Sequence, residues 1–218
     1  QARGDIILFL DDDVEIFPDY LKLLLQRYRT DTALAGVGGV DELLSPPSWK
    51  GRLFARLFLL TGPKPGCLSS SGFPSPLYKW RLQVKPFMSH HLSGCNMSFR
   101  RSVLLDLYPV AWLDGYSLGE DLLLSWFARR RGPLVVDPAL RVLHHVSPRS
   151  RDSGKSVAMS FVLNHLRLLQ TYKAPSWRYL ALGWSIMGLI FSAWLRHDKD
   201  AVNGYKEGLR RLLQCRVR

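Results

Sequence analysis

The sequence predicts an α/β fold, on three observations. A wholly apolar run at Ile6, Ile7, Leu8, Phe9 and Leu10, too short for a helix, reads as a strand buried on both faces. Residues 20–29 carry helical spacing and residues 33–40 read as a second strand, so strand, helix and strand form one unit with a parallel pair. Farther along, Leu122, Leu123, Leu124, Trp126 and Phe127 read as a helix that Gly132 stops. Two short strands follow, at 134–136 and 140–143, separated by Asp137 and Pro138.

At 218 residues the chain can bury a core, and 47% hydrophobic with 11% aromatic content excludes a disordered polymer. Thirty Lys and Arg against 18 Asp and Glu give a net charge of +12, which points to an anionic partner: nucleic acid, phospholipid or a phosphorylated substrate. Cys67, Cys95 and Cys215 are odd in number and widely spaced, so neither a disulfide framework nor a zinc site is indicated; a reducing compartment fits. Gln1-Ala2-Arg3-Gly4-Asp5 has no signal-peptide character and no initiator Met. A chain that opens directly on a core strand is expected to be a fragment whose earlier half is missing.

Taken in order, the first strand runs into Asp11, Asp12 and Asp13. Three adjacent carboxylates repel unless a cation lies among them, and hard oxygen ligands at a strand's carboxyl end suit Mg, Mn or Ca. A solvated acidic turn capping the next helix is the plain alternative. Pro18 suits the first position of that helix. Gly36, Gly38 and Gly39 superficially resemble a dinucleotide fingerprint, but no helix opens after them where phosphate would dock, and that reading is rejected.

Residues 49–60 set Leu53, Phe54, Leu57 and Phe58 against Lys50, Arg52 and Arg56: a basic amphipathic helix that packs on a domain or lies on a membrane. Residues 62–76 are dense in Gly, Pro and Ser and read as a long mobile loop, a lid being the usual role. Within the next motif, Gly94 and Cys95 allow close backbone approach to a ligand, and Asn96 offers both donor and acceptor. His90 and His91 read as surface or core histidines rather than ligands.

Glu120 and Asp121 open a helix after a Gly-containing approach, where the helix dipole favours acids. His144 and His145 stand at a strand end, placed to complete a carboxylate metal site, and Arg149 and Arg151 follow in reach of phosphate oxygens. Beyond residue 154 the pattern is helical and apolar, with helices at 156–172 and 177–195. Residues 179–195 hold no charged side chain and sit near the lower length limit, roughly 17 residues, for a membrane span, so they read as a membrane-embedded or membrane-lying helix, with a buried helix of a soluble domain as the alternative. Trp177, Tyr179 and Trp194 near the ends resemble an interfacial belt, and the basic tail suits anionic headgroups.

The order of these motifs, Asp11-Asp12-Asp13, then Ser93-Gly94-Cys95-Asn96-Met97-Ser98-Phe99, then Gly119-Glu120-Asp121 with Arg129 to Gly132, then His144, resembles family 2 glycosyltransferases of the GT-A fold. The resemblance covers about residues 1–150. It implies a Rossmann-like nucleotide-diphospho-sugar transferase domain, here its C-terminal half (1–150), followed by a membrane-associated helical region (151–218). It further implies that Asp11 and Asp13 hold Mg or Mn with His144, or less readily His145. Asp12, Arg149 and Arg151 would contact the donor diphosphate, and Gly94, Cys95 and Asn96 the acceptor or sugar pocket.

By the same resemblance Asp121 would be the catalytic base, with Glu120 positioning the acceptor or sharing the role. The implied reaction transfers one hexosyl or rhamnosyl unit, with inversion, from a nucleotide-diphosphate sugar to a glycan or lipid-linked acceptor. Cell-envelope polysaccharide or glycolipid synthesis at the cytoplasmic face of the membrane is the implied setting, with attachment peripheral or through the apolar helix. Two departures stand out. The earlier nucleobase-binding half has no counterpart, and the Gln-x-x-Arg-Trp motif of processive synthases is absent after Asp121. The competing reading is a basic membrane-surface binding or scaffold module without catalysis. Nucleic-acid binding is disfavoured, because basic clusters alone are non-specific.

Overall fold

The computed structural model describes residues 2–105, 119–145 and 154–214. In chain order it contains β1 (Ile6–Leu10), β2 (Val14–Ile16), α1 (Tyr20–Thr30), β3 (Gly36–Asp41) and α2 (Trp49–Leu57). Then follow β4 (Phe87–Ser89), β5 (Asn96–Arg100), α3 (Arg101–Leu104), α4 (Glu120–Arg129) and β6 (Leu134–His144). Three helices close the chain: α5 (Gly154–Thr171), α6 (Ser176–Leu195) and α7 (Lys199–Gln214).

The sheet runs β1-β5-β3-β6-β2, with β4 also on β6. Two expectations change here. The first strand is not buried on both faces: it borders only β5 among the described residues and is half-buried, with Leu10 37% exposed. Nor does it pair with β3. β5 inserts between them, antiparallel to both, so β1 and β3 share a direction without touching. The parallel pair is instead β3 with β6.

The two short strands expected at 134–143 are one strand. β6 runs through Asp137 and Pro138 because the register on β3 jumps from Gly38 opposite Val136 to Val40 opposite Arg141, a bulge that absorbs the proline. Asp137 is secured there by Arg27, whose guanidinium donates twice at 2.7 and 2.9 Å. β6 uses its other edge for β4 near its start and β2 near its end.

Alternation along β6 separates two cores. Tyr20, Leu24 and Tyr28, one turn apart on α1, pack with Val135, Leu140 and Val142 on one face. On the other face Leu134 and Val136 meet Trp80, Leu92, Phe99 and Ala128 of α4. The residues at 62–76 are not a mobile lid. Phe73 is 5% exposed and stacks on His165 at 4.2 Å, while the Ser71 hydroxyl donates to the Leu59 carbonyl at 2.6 Å. That segment is a packed plug between the sheet and the C-terminal helices.

Those helices form a second cluster. α5 and α6 fall where the sequence placed them, within two residues at their starts and one at their ends. α7 was read only as a basic tail, yet it is a full helix lying on α5. Gly208 permits the approach, since a Cβ there would meet Val162 at 2.6 Å.

Candidate active site

Two acidic strand ends, after β1 and at the end of β3, meet beside the end of β6. The chain leaves β1 at Leu10, turns through Asp11 to Asp13, and pairs β2 with the end of β6, so that Val14 lies opposite His144. The register puts the His144 imidazole against the acidic turn. Its Nε2 is 3.1 Å from Asp13 Oδ1 and 3.7 Å from Asp11 Oδ2. One ligand atom from each of Asp11, Asp13 and His144 lies within 4.8 Å of the others. Two carboxylates and an imidazole, all partly open to solvent, form a donor set that suits Mg or Mn. Asp12 is exposed on the same turn.

Asp41, at the end of β3, was not foreseen. It is 7% exposed; its Oδ1 accepts from the backbone N–H of His144 at 3.3 Å and its Oδ2 is 3.9 Å from His144 Nδ1. Asp41 thus anchors the His144 backbone and sets a negative charge beside its ring. The available signal was an acid at the carboxyl end of a second strand, the same rule that singled out Asp11 to Asp13. His145 turns the other way, its Nε2 3.5 Å from Glu15 Oε2, so of the two histidines only His144 faces the acidic turn.

A second group of acidic candidates lies where α4 begins. Gly119 adopts a left-handed φ of +93°, which delivers Glu120 and Asp121 to the first turn. Glu120 is exposed and Asp121 half-buried. Asp121 Oδ1 accepts from the Leu122 N–H at 2.8 Å. Gly94 lies directly against it: a Cβ there would sit 3.7 Å from that of Asp121. Burial pushes the Asp121 carboxyl up to about 6, and neighbouring Glu120 adds to this, against the N–H groups of Leu122 and Gly94 that hold it down. Such a group is ionised at neutral pH and still basic enough to take a proton.

The remaining sequence candidates are placed as follows. Asn96, 1% exposed, accepts from the Tyr20 hydroxyl in the interior, and Tyr20 is held neutral by burial. Cys95 is 7% exposed, with its thiol pushed up to about 11 by burial. Gly94 is the member of this motif that meets Asp121. His91 is a core residue beside Trp80, its pKa lowered to about 4 by burial, and His90 lies at the surface. Arg149 and Arg151 lie outside the described residues.

A sequence profile of glycosyl transferase family 2 matches residues 1–107. Residues 1–107 belong to glycosyl transferase family 2. With the mixed α/β sheet, this membership gives the GT-A class that the motif order implied, and α6 is a single apolar helix near the C-terminus. Among solved structures, the chain is similar to GalNAc-T7 crystallised with UDP, GalNAc and Mn2+, at 18% identity and a TM-score of 0.47. That similarity covers 77% of this chain and 31% of the other, so the chain spans about a third of the solved protein's length. No curated protein matches.

Proposed function

We propose that the protein is a cation-assisted glycosyltransferase. It moves a single hexosyl or rhamnosyl unit, with inversion, from a nucleotide-diphosphate sugar to a hydroxyl of a glycan or lipid-linked acceptor. The observation that carries this reading is the convergence of Asp11, Asp13 and His144 into one donor group within a chain whose first 107 residues belong to family 2.

Asp11, Asp13 and His144 would hold Mg or Mn, and Asp41 would anchor the His144 backbone and add negative charge behind its ring. When bound, the cation supplies positive charge against the charge that develops on the departing nucleotide diphosphate. In this reading Arg149 and Arg151 contact that diphosphate, and Asp12, an anion like it, would meet the donor only across the cation. Asp121 takes the proton from the acceptor hydroxyl as its oxygen forms the new bond to the anomeric carbon. Glu120, exposed beside it, positions the acceptor. Gly94 leaves room for the sugar next to Asp121, with Cys95 and Asn96 shaping the wall behind. One base and one direct displacement invert the anomeric centre, unlike the paired-carboxylate hydrolysis of glycosidases.

The setting proposed is the cytoplasmic face of the membrane in cell-envelope polysaccharide or glycolipid synthesis, with the apolar helix α6 bringing the site to its acceptor. A panel of nucleotide-diphosphate sugars incubated with the intact protein and Mn2+ tests the reading. Transfer or slow donor turnover is expected for one donor class, and should be abolished both by chelation and by Asp13→Asn. Equal turnover in wild type and Asp13→Asn would leave the non-catalytic scaffold as the better description.

A further inference from the structure

α6 displays an unbroken apolar stripe to solvent. Trp177, Leu180, Trp184, Met187, Phe191 and Trp194, spaced three or four apart, are each between 46% and 65% exposed. A second stripe on α2, Trp49, Leu53 and Leu57, is 59–64% exposed. The two helices are joined edge to edge. Phe58 stacks on Trp184 at 5.0 Å, Phe54 on Phe191 at 6.4 Å, and the Trp184 indole N–H donates to the Leu57 carbonyl at 2.8 Å. Gly188 admits the Phe58 ring, which a Cβ would displace. The stripes therefore belong to one surface, and monomeric proteins seldom leave so extended an apolar face open.

We propose that α2 and α6 together form an in-plane docking face for an anionic lipid surface, and that α6 does not span the bilayer. This rests on the membrane attachment proposed above but not on the transferase chemistry. Two features choose lipid over another protein. Neither α2 nor α6 carries an acidic residue, while α2 brings Lys50, Arg52 and Arg56 alongside its apolar stripe. Such cations are drawn to an anionic surface, an attraction that falls off with added salt. In addition, four of the chain's seven tryptophans lie on this face, and indoles favour the headgroup boundary.

The opposite side of α6 excludes a span. Leu182, Ile186 and Ala193 are fully buried against the rest of the protein, where Tyr205 and Leu209 of α7 pack in the same cluster as Leu182 and Ile186. α7 also carries Lys206, Glu207, Arg210 and Arg211. Were α6 to cross the hydrocarbon, α7 would have to be stripped away or carried in with those charges, each of which is costly in lipid. Lying flat, α6 immerses only the stripe that is already exposed.

The test is flotation of the purified chain with vesicles of phosphatidylcholine alone or mixed with phosphatidylglycerol. Binding is expected only with phosphatidylglycerol and should weaken as salt is raised. Leu53→Asp with Leu180→Asp, both at open positions, should reduce binding at least tenfold while circular dichroism stays unchanged; Lys50→Glu with Arg56→Glu should do the same. Fluorophores attached singly at Leu180→Cys, Met187→Cys and Trp194→Cys should report one shallow depth. A probe at 187 lying at the bilayer centre would overturn the in-plane placement in favour of a span. Binding to neither vesicle, with dimers that Leu53→Asp dissolves, would identify a second copy as the occupant and overturn the proposal. Since no donor or acceptor enters the assay, its failure with sugar transfer intact would remove the membrane attachment alone.

Discussion

Asp121 is predicted to lower the stability of the fold in which it works. Its carboxyl is raised from an ordinary 3.8 to about 6, chiefly by burial, so the native state holds the proton more tightly than the unfolded chain does. The associated stabilisation is fully present below pH 3.8 and lost as pH rises through 6. At about 1.4 kcal/mol per pH unit, that gap amounts to about 3 kcal/mol above pH 7. Asp121→Asn removes the charge yet keeps an oxygen for the Leu122 N–H, while giving up about 0.5–1 kcal/mol of attraction to the α4 dipole. The variant should therefore be about 2 kcal/mol more stable than wild type at pH 8, or about 4–8 °C in Tm for a chain of this size.

Near pH 4 the two proteins should melt together. Sugar transfer by Asp121→Asn should meanwhile fall by about two to four orders of magnitude, the usual contribution of a general base. Wild-type activity should rise with pH through about 6. Calorimetry at both pH values, paired with a donor-turnover assay, reads both effects. A variant that melts lower than wild type at pH 8, or that keeps wild-type turnover, would refute the assignment of Asp121 as a desolvated base.

Three further outcomes are expected. Asp41→Asn should weaken Mn2+ binding by about 10- to 100-fold without altering the fold, as measured by titration calorimetry, because it keeps the bond to the His144 backbone but removes the negative charge behind its ring. Gly208→Val should destabilise the packing of α7 on α5 by about 1–3 kcal/mol, seen as a lower denaturant midpoint. Phe73→Ala should cost about 3–5 kcal/mol and open residues 62–76 to limited proteolysis, whereas a mobile lid would already be cleaved in wild type.

The acidic turn was legible because its signal is local: an apolar strand ends and three carboxylates follow. His144 was legible for the same reason, standing at the end of an apolar strand. Sheet order was not. The placement of β5 between β1 and β3 depends on pairings some 60 to 90 residues apart, such as Phe9 with Met97, which no window of sequence reveals. Pro138 looked like a strand breaker, since a bulge that spares its missing N–H is visible only against β3.

Composition misled at 62–76. Gly, Pro and Ser usually mark open loops, but Ser69 and Ser71 exchange a hydrogen bond at 2.9 Å inside the protein and Phe73 anchors the segment. α7 was read only as a basic tail because its helical face is defined by glycines, Gly204 and Gly208, whose lack of a side chain is what lets it pack on α5. Asp41 escaped notice because it is a single acid ending a glycine-rich strand, and its meaning appears only once His144 lies across from it.

One cation held by Asp11, Asp13 and His144 is expected to drive sugar transfer. Mn2+ titration by electron paramagnetic resonance, run alongside donor turnover on the intact protein, tests it most directly. One tightly bound Mn2+ is predicted for wild type, with Asp13→Asn and His144→Ala losing the bound ion and turnover together. Turnover that persists in both variants after the ion is lost would contradict the account.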